Sequence, residues 1–130
     1  MMLNLKLLDG SALDIPAEAI ILIEENVEEK KATNVVYSLQ MGENLFDTVE
    51  GAYGFIKKQW RDNVNSVGNL LEVTLAAEKP HKMAFSDMMV VARRELKDAP
   101  NGAKCRLTLN VNGKITSFNV TDTRDSLAGE

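Results

Sequence analysis

With 130 residues, 45% of them apolar and 26% charged, the chain has the balance of an ordinary globular domain and is long enough to bury a core without staples. One cysteine excludes an intramolecular disulfide or a cysteine-based zinc site and suits a reducing compartment, while a net charge of −4 argues against nonspecific DNA binding. The start from Met1 to Leu8 has no basic leader and apolar runs stop at five residues, so neither a signal peptide nor a membrane span is expected, and the cytoplasm is the default.

Residues 3–8 alternate, with Leu3, Leu5 and Leu7 on one face. Leu8-Asp9-Gly10 reads as a hairpin loop that sets Leu7 against Ser11, Leu5 against Leu13 and Leu3 against Ile15, so both apolar rows fall on one side. Pro16 ends the second strand or places it at an edge. Ile20 to Ile23 is a buried-strand run, followed by an acidic loop from Glu24 to Lys31. Val35, Tyr37, Leu39 and Met41 share a face of the next strand, and Gly42-Glu43-Asn44 turns the chain. Thr48 is expected to cap a helix carrying Val49, Ala52, Tyr53, Ile56 and Trp60 on one stripe. Asn63 to Asn69 is the best boundary between halves.

Residues 70–77 read as a strand, and Lys79-Pro80-His81-Lys82 as a loop. Ser86 is expected to cap a second helix, 87–97, with Phe85, Met88, Met89, Ala92 and Leu96 on one stripe. Asn112-Gly113 is the strongest short hairpin signal and sets Leu109 opposite Thr116, Leu107 opposite Phe118 and Cys105 opposite Val120. The expected fold is therefore α+β, mostly antiparallel sheet with two helices, in the order ββββα-βαββ. It forms a single domain over 1–130, with halves 1–62 and 69–121 and a frayed tail from Asp122 to Glu130. No sequence repeat is evident, but each half combines a short meander with one helix, which leaves a distant duplication open.

No residue cluster announces catalysis. His81 stands between Lys79 and Lys82 and reads as a solvated loop histidine. Cys105 shares a strand face with Leu107 and Leu109 and reads as a small buried hydrophobe. Glu24, Glu25, Glu28 and Glu29 form a run without the alternation or glycine turn of a hard-cation loop, so a solvated acidic loop is expected. There is no glycine-rich phosphate loop and no nucleophile elbow. Neither enzyme activity, cofactor nor metal is expected; an enzyme built on His81 or Cys105 would require a pocket holding one of them beside carboxylates.

The charge layout says more. Residues 9–50 carry ten acids and two bases, a net of −8; residues 79–114 carry eight bases and three acids, a net of +5. Met83, Met88 and Met89 cluster where the second helix is expected to begin. The run Met88-Met89-Val90-Val91-Ala92 is apolar around most of a helical turn, as at a subunit or partner contact. Arg93, Arg94 and Lys97 follow it on the basic final turns.

Residues 3–60 also resemble small FlbD-like and LytTR-type domains. The resemblance lies in Leu5 to Gly10, in Ile15-Pro16-Ala17-Glu18-Ala19-Ile20-Ile21-Leu22-Ile23-Glu24, in the β run, and in the Gly42 turn with the helix after Thr48. LytTR-type domains bind DNA through loops between strands, so the resemblance implies a regulatory role. The acidic loop at 24–29 departs from what a DNA-facing loop carries, and no DNA-contacting residue is transferred.

The expected function is that of a non-catalytic interaction or assembly protein, such as occurs among accessory proteins of phages and mobile elements. It would form a homo-oligomer or meet an acidic protein partner through the helix at 86–97, using Met88, Met89, Val90, Val91, Arg93, Arg94 and Lys97. Complementary acidic and basic halves would let copies associate head to tail. The alternative is a nucleic-acid-binding regulator using the basic segment 79–114, with Lys79, Lys82, Lys104 and Arg106 as further anion contacts. No membrane partner is expected.

Overall fold

Short β-branched and aliphatic runs punctuated by tight turns dominate the chain. The computed structural model describes residues 2–40, 43–64 and 70–127, and among these it forms ten strands and one α-helix. The strands are β1 (Met2–Lys6), β2 (Ala12–Pro16), β3 (Ile20–Glu25), β4 (Ala32–Tyr37), β5 (Leu45–Glu50), β6 (Leu70–Leu75), β7 (His81–Ser86), β8 (Val90–Glu95), β9 (Cys105–Val111) and β10 (Lys114–Val120). The helix α1 is Tyr53–Asn63, and 3-10 turns lie at Ala17–Ala19, Asp87–Met89 and Pro100–Gly102. β1 and β2 form a separate hairpin, and the other eight strands make one antiparallel sheet in the order β5-β4-β3-β7-β6-β10-β9-β8.

Both sequence-derived hairpin registers hold. Leu3 faces Ile15 and Leu5 faces Leu13, while Val111 faces Lys114, Leu107 faces Phe118 and Cys105 faces Val120. Asn112 and Gly113 take φ of 54° and 90°, the left-handed pair that a two-residue hairpin of this twist requires.

The helices differ from expectation. Thr48 does not cap a helix: Leu45–Glu50 is a strand that pairs along its whole length with β4 and buries Val49. Gly51, with φ of 121°, then turns the chain into α1, where a Cβ would stand 2.8 Å from Ile56 Cδ1. The expected second helix is absent. Ser86 Oγ accepts the Met88 N–H at 3.2 Å, but this caps only the three-residue turn Asp87–Met89, after which Val90–Glu95 extends along β9. His81 and Lys82, expected in a loop, begin β7. Leu39, expected to share a strand face with Val35 and Tyr37, lies beyond the end of β4 and is exposed. Met41, Gly42 and most of the polar stretch 63–69 lie outside the described residues.

The two halves repeat one plan. In the first half the hairpin β2-β1 adjoins β5-β4-β3 through an isolated bridge between Leu7, just past β1, and Val49; in the second the order is β7-β6-β10-β9-β8, with β6 meeting β10 at Leu75 and Val120. A shift of seventy residues carries β2, its 3-10 turn and β3 onto β7, its 3-10 turn and β8. The register slips at the same place in both, between Ile20 and Leu22 and between Val90 and Ala92. Leu127 lies seven residues after Val120, as Ile56 lies seven after Val49, and both are buried, so the segment after Asp122, expected to fray, is anchored in the second core at Leu127. Asp122 Oδ1 accepts the Thr74 N–H there at 2.8 Å. Across 11–25 and 81–95 only Glu25 and Glu95 coincide in residue type, which is why the common plan is invisible as a sequence repeat.

Each half has its own core. The first gathers Leu3, Leu5, Ile15, Ile23, Val35 and Val49 under Tyr53, Ile56 and Trp60 of α1; the second gathers Val73, Phe85, Cys105, Leu107, Leu109 and Val120. The seam between them is the β3–β7 ladder, Leu22 opposite Phe85, Ile23 opposite Ala84 and Glu24 opposite Met83. Each strand lends side chains to the other's core: Ala84 belongs to the first, while Ile21 and Leu22 pack on the second. α1 is fixed at both ends. Trp60 Nε1 donates to Ala17 O at 3.1 Å, and Tyr53 Oη and Lys57 Nζ donate to Glu72 Oε2 on β6 at 3.0 and 2.8 Å.

Candidate interaction surface

β8 ends the sheet. It pairs with β9 on one side, and among the described residues no strand pairs with its other side. The Leu96 N–H donates to Lys104 O at 3.0 Å, so by alternation Arg94 and Ala92 face β9, while the N–H and C=O groups of Arg93 and Glu95 face outward. Every residue from Val91 to Glu95 is exposed, Val91 at 56%, and Met88 in the preceding turn at 69%. Its counterpart β3 is half-buried to buried along its whole length, because β7 flanks it and α1 covers it. A cavity of about 380 Å³, lined by Leu71, Asp87, Val91, Arg93, Arg124 and Leu127 among others, runs beside the open edge of β8.

The candidate contact residues divide between two places. Met89 and Val90 are half-buried and pack on the second core rather than pointing outward. Met88, Val91, Arg93, Arg94 and Lys97 are exposed on or beside β8. Arg93 Nη1 donates to Leu127 O at 3.0 Å, holding the final turn against the sheet. Arg94 stands opposite Arg106 in the β8–β9 ladder, a like-charge pair, with Arg106 Nη1 donating to Asn119 Oδ1 at 3.4 Å. Lys97 and Lys104 line a cleft with Arg124 at the end of β8. Lys79 and Lys82 instead line a different cleft, of about 490 Å³, beside Glu25, Lys30 and His81. The basic segment therefore does not form one continuous patch.

His81 is not the solvated loop histidine expected. Its Nδ1 lies 3.0 Å from Lys79 O and its Nε2 lies 2.8 Å from Glu24 Oε2. Both neighbours are acceptors, an arrangement that favours the protonated ring. Desolvation pulls its pKa down, but Lys79 O, Glu24 and Glu25 outweigh that and the net shift is upward. Lys82 N donates to Glu25 Oε1 at 2.6 Å, so two carboxylates of the acidic run clamp the open end of the β3–β7 seam. The run is thus only partly a solvated loop. No sequence signal joined Glu24 to a histidine fifty-seven positions away. His81 thus stands beside carboxylates in a cleft, with both ring nitrogens engaged within the chain. Cys105 is fully buried, and burial pushes its thiol pKa up, away from the reactive thiolate.

Among the described residues no group of three or more His, Cys, Asp or Glu side chains is arranged to hold a metal ion, and no helix is long and apolar enough to cross a membrane. The chain matches no known family, no curated protein and no solved structure.

Proposed function

We propose that the protein is a non-catalytic interaction and assembly module whose contact surface is the β8 edge with the turn before it. The supporting observation is the difference between two equivalent strands. β3 is flanked and covered, whereas β8 exposes backbone donors and acceptors, the apolar side chains of Met88 and Val91, and the charges of Arg93 and Arg94. An unpaired edge of this kind can accept an added strand, giving main-chain hydrogen bonds along the edge and side-chain selectivity from alternate positions. Val91→Lys places a charge on the apolar part of that edge. Sedimentation velocity at micromolar concentration, at low and high salt, tests the reading. Self-association that Val91→Lys weakens supports it; a monomer in all conditions removes self-assembly.

The Arg94–Arg106 pair, with Lys97, Lys104 and Arg124 nearby, favours a second reading, a regulator that binds nucleic acid through its phosphates. Fluorescence anisotropy with duplex and single-stranded probes at low salt examines it. Binding that disappears in the Arg93→Glu, Arg94→Glu double variant supports it, and unchanged binding excludes it.

A further inference from the structure

β8 is not the only open edge. β2 pairs with β1, and among the described residues no strand pairs with its other side. β2 is the counterpart of β7, as β8 is of β3. The chain therefore contains one β3–β7 seam and, left over, the two equivalents of the strands that make it. We infer that β8 of one copy takes β2 of a second copy as its missing neighbour, with Arg93 opposite Asp14, so that copies join head to tail. The inference rests on reading β8 as the contact edge and names the partner that fills it.

The seam supplies the register. Moving Leu22–Phe85, Ile23–Ala84 and Glu24–Met83 by seventy residues gives Ala92–Ile15, Arg93–Asp14 and Arg94–Leu13. The backbone groups suit that pairing. The Leu7 N–H donates to Ser11 O at 2.8 Å, so alternation turns Ala12 and Asp14 to the open side of β2, as it turns Arg93 and Glu95 to the open side of β8. Arg93 and Asp14 would then exchange two hydrogen bonds. Pro16, which has no N–H to offer, falls opposite the bulge at Val91, where the β3–β7 ladder also has no pair.

The side chains suit it too. Ile21 and Leu22 pack across the seam on the second core; their counterparts Val91 and Ala92 are exposed and would pack across the new seam beside Leu13, which is only partly buried. Directly opposed residues share a face, so the exposed Arg93 meets the exposed Asp14. Within the chain Glu24 of β3 reaches His81 at the start of β7; between chains Arg94 of β8 would reach the turn holding Asp9 and Ser11. The charge sense is reversed at the second junction, which matches the acidic first half and basic second half and disfavours β8 joining a β7-like edge. Because the two surfaces differ, the contact is heterologous and repeats from copy to copy, closing into a ring or continuing as a filament according to the rotation per step.

The test is a charge exchange read by sedimentation velocity at low salt, with far-ultraviolet circular dichroism and thermal unfolding confirming that each variant folds. Arg93→Asp and Asp14→Arg each place like charges at the junction and should weaken association about tenfold. Mixing the two single variants restores opposite charges at every junction, as does the double variant, and association should recover. If Arg93→Asp weakens association but Asp14→Arg does not, β8 is the contact and β2 is not its partner: the inference fails while the proposed function stands. If wild type associates and neither variant matters, both fail. If wild type stays monomeric, the inference fails and the β8 edge is left to a different protein.

Discussion

The His81–Glu24 contact is the residue on which pH acts most directly. The imidazolium is held by acceptors in the folded chain and by water in the unfolded one, so its pKa is raised on folding. A raised pKa contributes stability that is complete below the unfolded value of about 6.5 and is lost as pH rises through the folded value. His81→Gln should therefore cost about 1 kcal/mol near pH 6 and progressively less toward pH 9, by urea unfolding at the two pH values. An equal cost at both would mean that the charge of the ring is irrelevant. Cys105 gives a second expectation at this scale. A buried thiol with a raised pKa should react with a thiol reagent only as fast as the second core opens, and labelling should accelerate sharply in denaturant. The burial of Cys105 was legible in the sequence because Leu107 and Leu109 share its strand face. The partner of His81 was not, because it depends on which strand lies beside β7.

Elements closed by local turns were legible, and those held by distant neighbours were not. The hairpins at Leu8–Gly10 and Asn112–Gly113 fix their own registers through turn geometry and alternation, so their pairings followed from the chain alone. The segment 87–97 misled for a physical reason. A 3-10 turn and a bulge at Val91 interrupt the period of two, and the remaining apolar residues coincide with helical spacing; the β9 ladder then decides the conformation. Asp47 and Thr48 misled likewise, their cap chemistry being overridden by six paired positions on β4. Two glycines near α1 test the local account with opposite signs. Gly51→Ala forces a side chain into positive φ and against Ile56, and should destabilise by about 1–3 kcal/mol. Gly54→Ala, in the helix with open space at the Cβ position, should stabilise by about 0.5–1 kcal/mol in the same thermal or urea titration.

For the whole molecule, two units of five strands meet at the β3–β7 seam of the eight-stranded sheet, the β1–β2 hairpin standing apart from it, and α1 packs on the first and reaches Glu72 of the second. The opposed charge of the two halves was plain in the sequence, but their common plan was not, because the equivalent segments 11–25 and 81–95 coincide in residue type at one position. That same divergence separates the strands that are buried within the chain from those left at its edges. Ile23 lies under α1, while Arg93, its counterpart, lies on an open edge and binds the carbonyl of Leu127. The composition of β8, with Arg93, Arg94 and Glu95, is that of a strand exposed to water. Amide hydrogen exchange of the wild-type protein, followed as its concentration rises at low salt, tests the central claim most directly. Protection should appear together at the outward-facing amides of β8, Arg93 and Glu95, and of β2, Ala12 and Asp14. Association that leaves the β8 amides exchanging as they do in dilute solution would contradict the account.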